Sequence, residues 1–329
     1  MRTCFFMFIA VFVFPYCMGQ IDSAADFQDK SKHFTFHINK WINLHHFFYE
    51  KASNQQKKHL NENSVDFIDY SESKKIEEMS PEEKIIFEEG ILFYKQEVID
   101  RSLLLSGRTL KWLQVQDPDN IITDTSLSSE FTFVLNRLLP IYEKHFWRSH
   151  KALNIELLNK YMDSIKATEN FVIKKMELLS GLPWKNSVRV DLSAYGNWAS
   201  AYSPDFDNIV ISSIDPQMHS TLFLEFTYHE SAHLLFLRSS PFRMSLKEKA
   251  YAMEIHSTKN LWHAAMFYLS GLATKEALHT IGIEHQLIMS EKNVFKNFYD
   301  DDNFRSVLRN YYHQHINLDE MSSALLKSK

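Results

Sequence analysis

Cysteine is almost absent from this chain of 329 residues, which contains only Cys4 and Cys17. Both lie within residues 1–19, a segment with the layout of a secretory leader, so a processed chain would contain no cysteine. An exported protein without cysteine cannot depend on disulfides and must be stabilised by its hydrophobic core. The same absence excludes a catalytic thiol, and it favours a bacterial exported protein over a small disulfide-rich domain.

Glycine and proline are also scarce, at 7 and 8 residues. Few residues are therefore available to mark turns, and the composition favours helix. The hydrophobic fraction is 45%, an ordinary globular value, and the length suits one large domain or two smaller ones. The formal net charge is −5, and positive charge forms no basic stripe, so nucleic acid is not an expected partner.

The N-terminal apolar run, from Cys4 to Phe14, is too short to cross a bilayer as a helix, which needs about 20 residues. One arginine precedes the run, Pro15 ends it, and the small residue Gly19 follows shortly after. This pattern predicts a cleaved signal peptide over residues 1–19. We therefore expect a periplasmic or secreted protein, with no stable membrane span after cleavage.

The rest of the chain divides into two regions whose sequence patterns predict different secondary structure. Residues 20–183 are predicted to be mainly helical, with a helix that begins at Ser80 and a later one that Pro140 breaks or kinks. Residues 184–329 begin with "SVRVDLSAY", which alternates like a strand, and "NWASAYSPDFDNIVISSI", which predicts a hairpin. Helices follow to the end. The predicted fold class is α+β, mainly α.

A helix from Ser220 to Leu237 follows the hairpin, and its apolar flanks predict burial on all sides. His229 and His233 are four residues apart, so both rings leave one face of this helix and can bind one Zn²⁺ at about 2.0–2.1 Å. Glu230 can then reach a water beside the metal. Burying these groups without partners would be costly, which favours a metal site over a hydrogen-bonded core network.

The segment "YHESAHLL", preceded by a hairpin, resembles the zincin fold of zinc metallopeptidases with the His-Glu-x-x-His motif. The resemblance covers residues 185–271. It is gluzincin-related through the spacing of Glu254 from His233, and "HESAHLLFLRSS" lacks the metzincin continuation. It implies Glu230 as general base and an extended peptide or protein substrate paired with an edge strand, predicted at Asn208–Ser213. The segments "GNWASAY", "HESAH" and "LWHAAMFYLSG" also resemble uncharacterised exported bacterial proteins.

The third zinc ligand has two candidates. Glu254 has a spacing from His233 close to that of gluzincins, whereas His263 lies in the apolar segment "LWHAAMFY". On one continuous helix the two side chains would face nearly opposite ways, so only one is expected to ligate. We favour His263, since an unpaired histidine there would be costly, and Glu254 lies in a charged stretch.

Other residues have weaker predicted roles. Tyr268 is the candidate for stabilising the oxyanion, with a packed aromatic as the alternative. Glu225 either orients His229 or is an ordinary surface acid. His45 and His46 are expected to be exposed.

The predicted function is that of a zinc-dependent hydrolase, a metallopeptidase in which Glu230 activates a zinc-bound water. The alternatives are an exported helical binding protein with a non-catalytic zincin-like site, and a structural zinc that joins two helices.

Overall fold

The computed structural model describes residues 27–58, 70–185, 187–196, 200–205, 207–255, 260–288 and 301–327. The predicted signal peptide, residues 1–19, lies outside these ranges. Among the helices that are described, none combines the length and the apolar character needed to cross a membrane.

The centre of the fold is a five-stranded mixed sheet. Its strands are β1 Phe27–Lys30, β2 Phe34–Ile38, β3 Val188–Ser193, β4 Ala201–Asp205 and β5 Asn208–Ser212. Their order across the sheet is β1-β2-β3-β5-β4, in which β2, β3 and β5 are parallel and the two outer strands are antiparallel to their neighbours.

The predicted hairpin is confirmed, but the predicted edge strand is wrong. All five residues of β5 are buried, and the strand pairs with β3 on one side and β4 on the other. A strand that is buried along its whole length suits the interior of a sheet. The outer strand is β4, which is only partly buried and whose pairing with β5 is irregular.

Strands β1 and β2 are absent from the sequence-based prediction. In β2, Phe34, Phe36 and Ile38 are fully buried and alternate with partly exposed residues. Phe34 pairs with Val188, so β2 and β3 are hydrogen-bonded neighbours although the chain between them includes six helices. The predicted boundary at residue 183 therefore separates two adjacent strands of one sheet.

Helices make up most of the described chain, in agreement with the predicted fold class. They are α1 Lys40–Lys58, α2 Tyr70–Glu77, α3 Pro81–Phe93, α4 Gly107–Gln114, α5 Ser129–Tyr142, α6 Arg148–Ser180, α7 Leu222–Ala232, α8 Pro241–Ala252, α9 Leu261–Thr280, α10 Asp301–Tyr312 and α11 Leu318–Lys327.

The predicted helix start at Ser80 is confirmed. Ser80 caps α3, since its Oγ accepts from the Glu83 N–H at 3.2 Å and the Glu83 carboxylate accepts from the Ser80 N–H at 2.9 Å. Pro140 lies within α5, and the helix then widens into a π-helical turn before α6. Gly181 ends α6 with a left-handed φ of 77°.

Helices cover both faces of the sheet. On one face, His46 of α1 bonds the Ser193 hydroxyl at 3.0 Å and the Tyr202 hydroxyl at 2.7 Å. On the other face, α7 contacts β4 and β5 and is covered from outside by α6 and α9. The sheet thus positions α7 between itself and two further helices.

The segment after α7 contains two separate helices before residue 281. Helix α8 ends at Ala252 and α9 begins at Leu261, with left-handed backbone at Glu254 and Asn260. Gly271 does not end the second helix, which continues to Thr280. A Cβ at Gly271 would lie 2.8 Å from Glu225 Oε1, so this glycine allows α9 to approach α7 closely.

Candidate metal centre

Helix α7 is buried on every side, as its sequence predicts. Each of its residues is buried, and the helix ends at Ala232 with His233 as its C-terminal cap. The predicted extension to Leu237 is instead a series of turns. His229 therefore lies within the helix, whereas His233 lies at its last turn.

Three histidines converge at this end of α7. The ring centroids of His229 and His233 are 5.1 Å apart, and His263 lies 5.2 Å from the first and 5.1 Å from the second. One ring nitrogen from each lies within 4.8 Å of the other two. Because His263 is in the first turn of α9, the packing of α9 against α7 creates the cluster.

The donor set fits a metal that accepts imidazole nitrogens. Tetrahedral zinc with bonds of about 2.1 Å places its ligand atoms about 3.4 Å apart, so small ring rotations would close the cluster around one ion. His229 Nδ1 is buried and has no hydrogen-bond partner among the described residues. The same donors also suit other divalent transition metals, so the geometry is not specific to zinc.

The electrostatics keep the three rings neutral. Burial holds the pKa of His229 well below its ordinary value, and His233 and His263 lower it further. Burial, the neighbouring His263 and the charge of Arg243 lower the pKa of His233 to about 3. The pKa of His263 is also lowered by burial. Neutral imidazole is the form that binds a metal ion.

Glu230 lies beside the cluster without belonging to it. Its Oε1 is 3.9 Å from His229 Nε2 and its Oε2 is 4.0 Å from His233 Nε2, beyond hydrogen-bonding distance. Burial raises the pKa of this carboxyl to about 7, against the opposing effect of a bond from Ser203. A carboxyl with this pKa can exchange protons near neutral pH.

Ser203 is a site residue that sequence reasoning missed. Its hydroxyl lies 2.7 Å from Glu230 Oε2 and 3.0 Å from the Glu230 carbonyl oxygen. It belongs to β4, so the outer strand of the sheet is tied directly to the carboxylate. The only signal in the sequence is a small polar residue within the predicted hairpin.

Aromatic side chains surround the cluster. Phe267 packs on His229 with ring centroids 4.0 Å apart, and Trp262 meets His233 edge-on at 5.9 Å. Arg243 in turn lies over the Trp262 ring, 3.8 Å from its centroid. The side chain of His229 is 4% exposed and that of His233 is 25% exposed, so the cluster opens to solvent on the side of His233.

Two predicted site residues lie elsewhere. Glu254 is exposed, beyond the end of α8, and is not part of the cluster, because α8 and α9 are separate helices. Tyr268 is five residues past His263, about 140° around α9. It is buried, and it lies close enough to Arg309 and Arg305 of α10 to feel their charges. The structure therefore favours the packed-aromatic alternative for Tyr268.

Glu225 has neither of its predicted environments. It is fully buried, and its Oε2 accepts from His285 Nε2 at 2.8 Å and from the Ile288 N–H at 3.1 Å. The Thr221 hydroxyl lies 2.8 Å from the other nitrogen of His285. Glu225 thus attaches the segment after α9 to α7 and makes no bond to His229.

The predicted exposure of His45 and His46 is also wrong. Both are buried on α1, where His45 bonds the Tyr94 hydroxyl and His46 bonds two hydroxyls of the sheet. These bonds assign them to the core between α1 and the sheet.

Comparison with known proteins gives no relative for this chain. No family model matches it, and neither the curated proteins nor the solved structures contain a match. The function of the candidate metal centre is therefore inferred from its own residues.

Proposed function

We propose that this chain is a zinc-dependent hydrolase, a zincin-like metallopeptidase in which His229, His233 and His263 hold the metal and Glu230 is the general base. The observation that supports this most directly is the position of a buried carboxyl, with a pKa of about 7, against three converging neutral imidazoles. A His₃ donor set leaves a fourth position of tetrahedral zinc for water or substrate.

The chemistry divides between the metal and the chain. Bound zinc would supply a Lewis acid that lowers the pKa of water toward about 7 and polarises the scissile carbonyl. Glu230 accepts a proton from the attacking water and returns it to the leaving amine. Ser203 bonds Oε2 of this carboxylate, which fixes its orientation and leaves Oε1 as the proton acceptor.

The outer strand β4 supports a peptide or protein as substrate. Among the described strands it is paired only with β5, so carbonyl groups on its other edge can accept hydrogen bonds from an extended chain. Since Ser203 of β4 contacts Glu230, a peptide added to this edge would run beside the metal centre. Strand addition binds a peptide through hydrogen bonds to its backbone rather than through its side chains, which suits a peptidase.

The position of Tyr268 favours a second candidate function. Tyr268 is buried and lies close enough to Arg309 and Arg305 of α10 to feel their charges, which favours a packed aromatic over an oxyanion donor. A non-catalytic metal site that joins α7 to α9 in an exported binding protein is consistent with this arrangement. The two candidates differ in whether the metal-loaded protein hydrolyses peptides.

Elemental analysis of the purified protein tests the metal site. We expect about one zinc per chain in the parent and in Glu254→Ala, and loss of zinc in His263→Ala. Glu230→Gln should retain zinc and lose hydrolysis of a peptide library. A parent that folds without metal and is indifferent to chelator would contradict both candidates. Zinc without hydrolysis would support the non-catalytic site.

We also propose that residues 1–19 direct export to the periplasm or the medium. N-terminal sequencing of the protein recovered from the extracytoplasmic fraction tests this. A start at Gln20 supports cleavage after Gly19, whereas recovery of the intact chain from the cytoplasm contradicts it.

A further inference from the structure

An arginine without an acidic partner in the described part of the chain lies at the open side of the candidate metal centre. The guanidinium of Arg243 is stacked on Trp262 at 3.8 Å, and its one hydrogen bond to a described residue is a long one of 3.4 Å to the Phe236 carbonyl. Among the described residues it forms no ion pair. Most of its hydrogen-bonding capacity is therefore unused.

A comparable arginine elsewhere in the chain, Arg189, has a carboxylate partner. Arg189 has a side chain 23% exposed and donates from both Nε and Nη2 to Asp191 at 2.7–3.0 Å. Arg243 is likewise partly buried, yet no carboxylate among the described residues pairs with it. A partly buried cation without a carboxylate, in the described part of the chain, forms an environment that favours an anion.

The position of Arg243 relates it to the metal centre. Trp262 contacts both Arg243 and the cluster residue His233, with ring centroids 5.9 Å apart in the second contact. An extended peptide advances about 3.5 Å per residue, so a group held by Arg243 lies within about three residues of a bond at the cluster. The planar guanidinium matches a carboxylate in a bidentate geometry.

We propose that Arg243 binds a carboxylate of the peptide substrate and so directs cleavage to bonds close to it. This inference rests on the proposed function and specifies its substrate class. A terminal carboxylate would make the protein a carboxypeptidase-like trimming enzyme, whereas an acidic side chain would make it selective for acidic peptides.

Three matched peptide libraries distinguish these sources of the carboxylate. One has free C-terminal carboxylates, the second is the same library with C-terminal amides, and the third is amidated with one fixed internal glutamate. Hydrolysis by the zinc-loaded parent is measured by mass spectrometry. Binding is measured separately, by affinity selection of the same libraries on zinc-loaded Glu230→Gln.

We expect the carboxylate-bearing libraries to be preferred in both assays. Arg243→Gln should raise KM for them about tenfold to a hundredfold and leave kcat and the amide library unchanged. Arg243→Lys keeps the positive charge but loses the planar guanidinium that binds a carboxylate through two nitrogens. It should raise KM by a smaller factor. Arg108→Gln, an exposed arginine on α4, is the matched control. Zinc content reports whether each variant has folded.

The outcomes separate this inference from the proposed function. Hydrolysis without preference for any carboxylate, or a preference that survives in Arg243→Gln, would overturn the carboxylate site and leave the peptidase intact. Selective binding without hydrolysis would overturn the peptidase and support the carboxylate site. Preference for the internal glutamate over the free terminus would identify the side chain as the group that is bound.

Discussion

The Ser203 hydroxyl lies 2.7 Å from Glu230 Oε2, so a strand at the edge of the sheet holds the carboxylate that adjoins the histidine cluster. This bond lowers the pKa of Glu230, while burial raises it to about 7. The balance between the two determines the pH at which the carboxylate is ionised and can accept a proton.

Replacing Ser203 by alanine should move the pH dependence of hydrolysis. Without the bond the pKa of Glu230 rises, so the acidic limb of kcat/KM should shift upward by about half to one pH unit. At high pH, where Glu230 is ionised in both proteins, the rates should converge. Ser187→Ala, on an exposed serine ahead of β3, is the control. An unchanged profile would mean that Ser203 does not tune the base.

Replacing Glu230 by glutamine should stabilise the metal-free protein at alkaline pH. The folded carboxyl has a pKa of about 7 against an ordinary 4.5, so the unfolded state loses its proton first as the pH rises. This contribution to stability is complete below about 4.5 and is lost as the pH rises through about 7. Urea unfolding should favour Glu230→Gln by about 1–3 kcal/mol at about pH 8.

The comparison of Glu230→Gln with the parent includes a control at acidic pH. Near about pH 4 the carboxyl is protonated in both states, and the advantage of the glutamine variant should disappear. An advantage that is constant with pH would attribute the effect to packing rather than to the buried charge.

Adding zinc should stabilise the parent and not His263→Ala. A ligand that binds only the folded state at a hundred times its Kd contributes about 2.7 kcal/mol, which thermal unfolding resolves as a higher Tm. The effect should vanish in His263→Ala because two ligands on α7 remain without the third on α9. An equal rise in both proteins would indicate that His263 is not a ligand.

Replacing Gly271 by alanine should destabilise the contact between α7 and α9. The new Cβ would lie 2.8 Å from Glu225 Oε1 and 3.0 Å from a methyl of Leu287, an overpacking expected to lower the free energy of unfolding by about 1–3 kcal/mol. Combining it with Glu225→Ala tests the cause. The two effects should be non-additive if the clash with Glu225 dominates, and additive if it does not.

Sequence periodicity predicted α7 and its burial, and the spacing of His229 and His233 put both on one face of the helix. The apolar segment around His263 favoured this residue as the third ligand, because an unpaired ring there would be costly. Glu254 was a candidate because of its spacing from His233, and the argument that only one of Glu254 and His263 ligates assumed one continuous helix. The break between α8 and α9 falls at left-handed residues that are not glycine, so turn signals did not reveal it.

The other misses concern contacts between distant segments. Strand β2 pairs with β3, and Ser203 bonds Glu230, only because of the tertiary arrangement of the sheet. No local sequence pattern indicates which distant strands or side chains will be paired. The identity of the edge strand was missed for the same reason, since β5 is interior only by virtue of its pairing with β3.

The pairing of Phe34 with Val188 also constrains how the protein can be made and divided. As synthesis proceeds, β2 emerges long before the strand that it needs, and the intervening helices must close a long loop before the sheet can form. A fragment starting at residue 184 would leave one edge of β3 without its partner, with buried Val188, Val190 and Leu192 exposed beside it. Such an edge promotes aggregation, so the two regions that differ in sequence texture should be expressed as one piece.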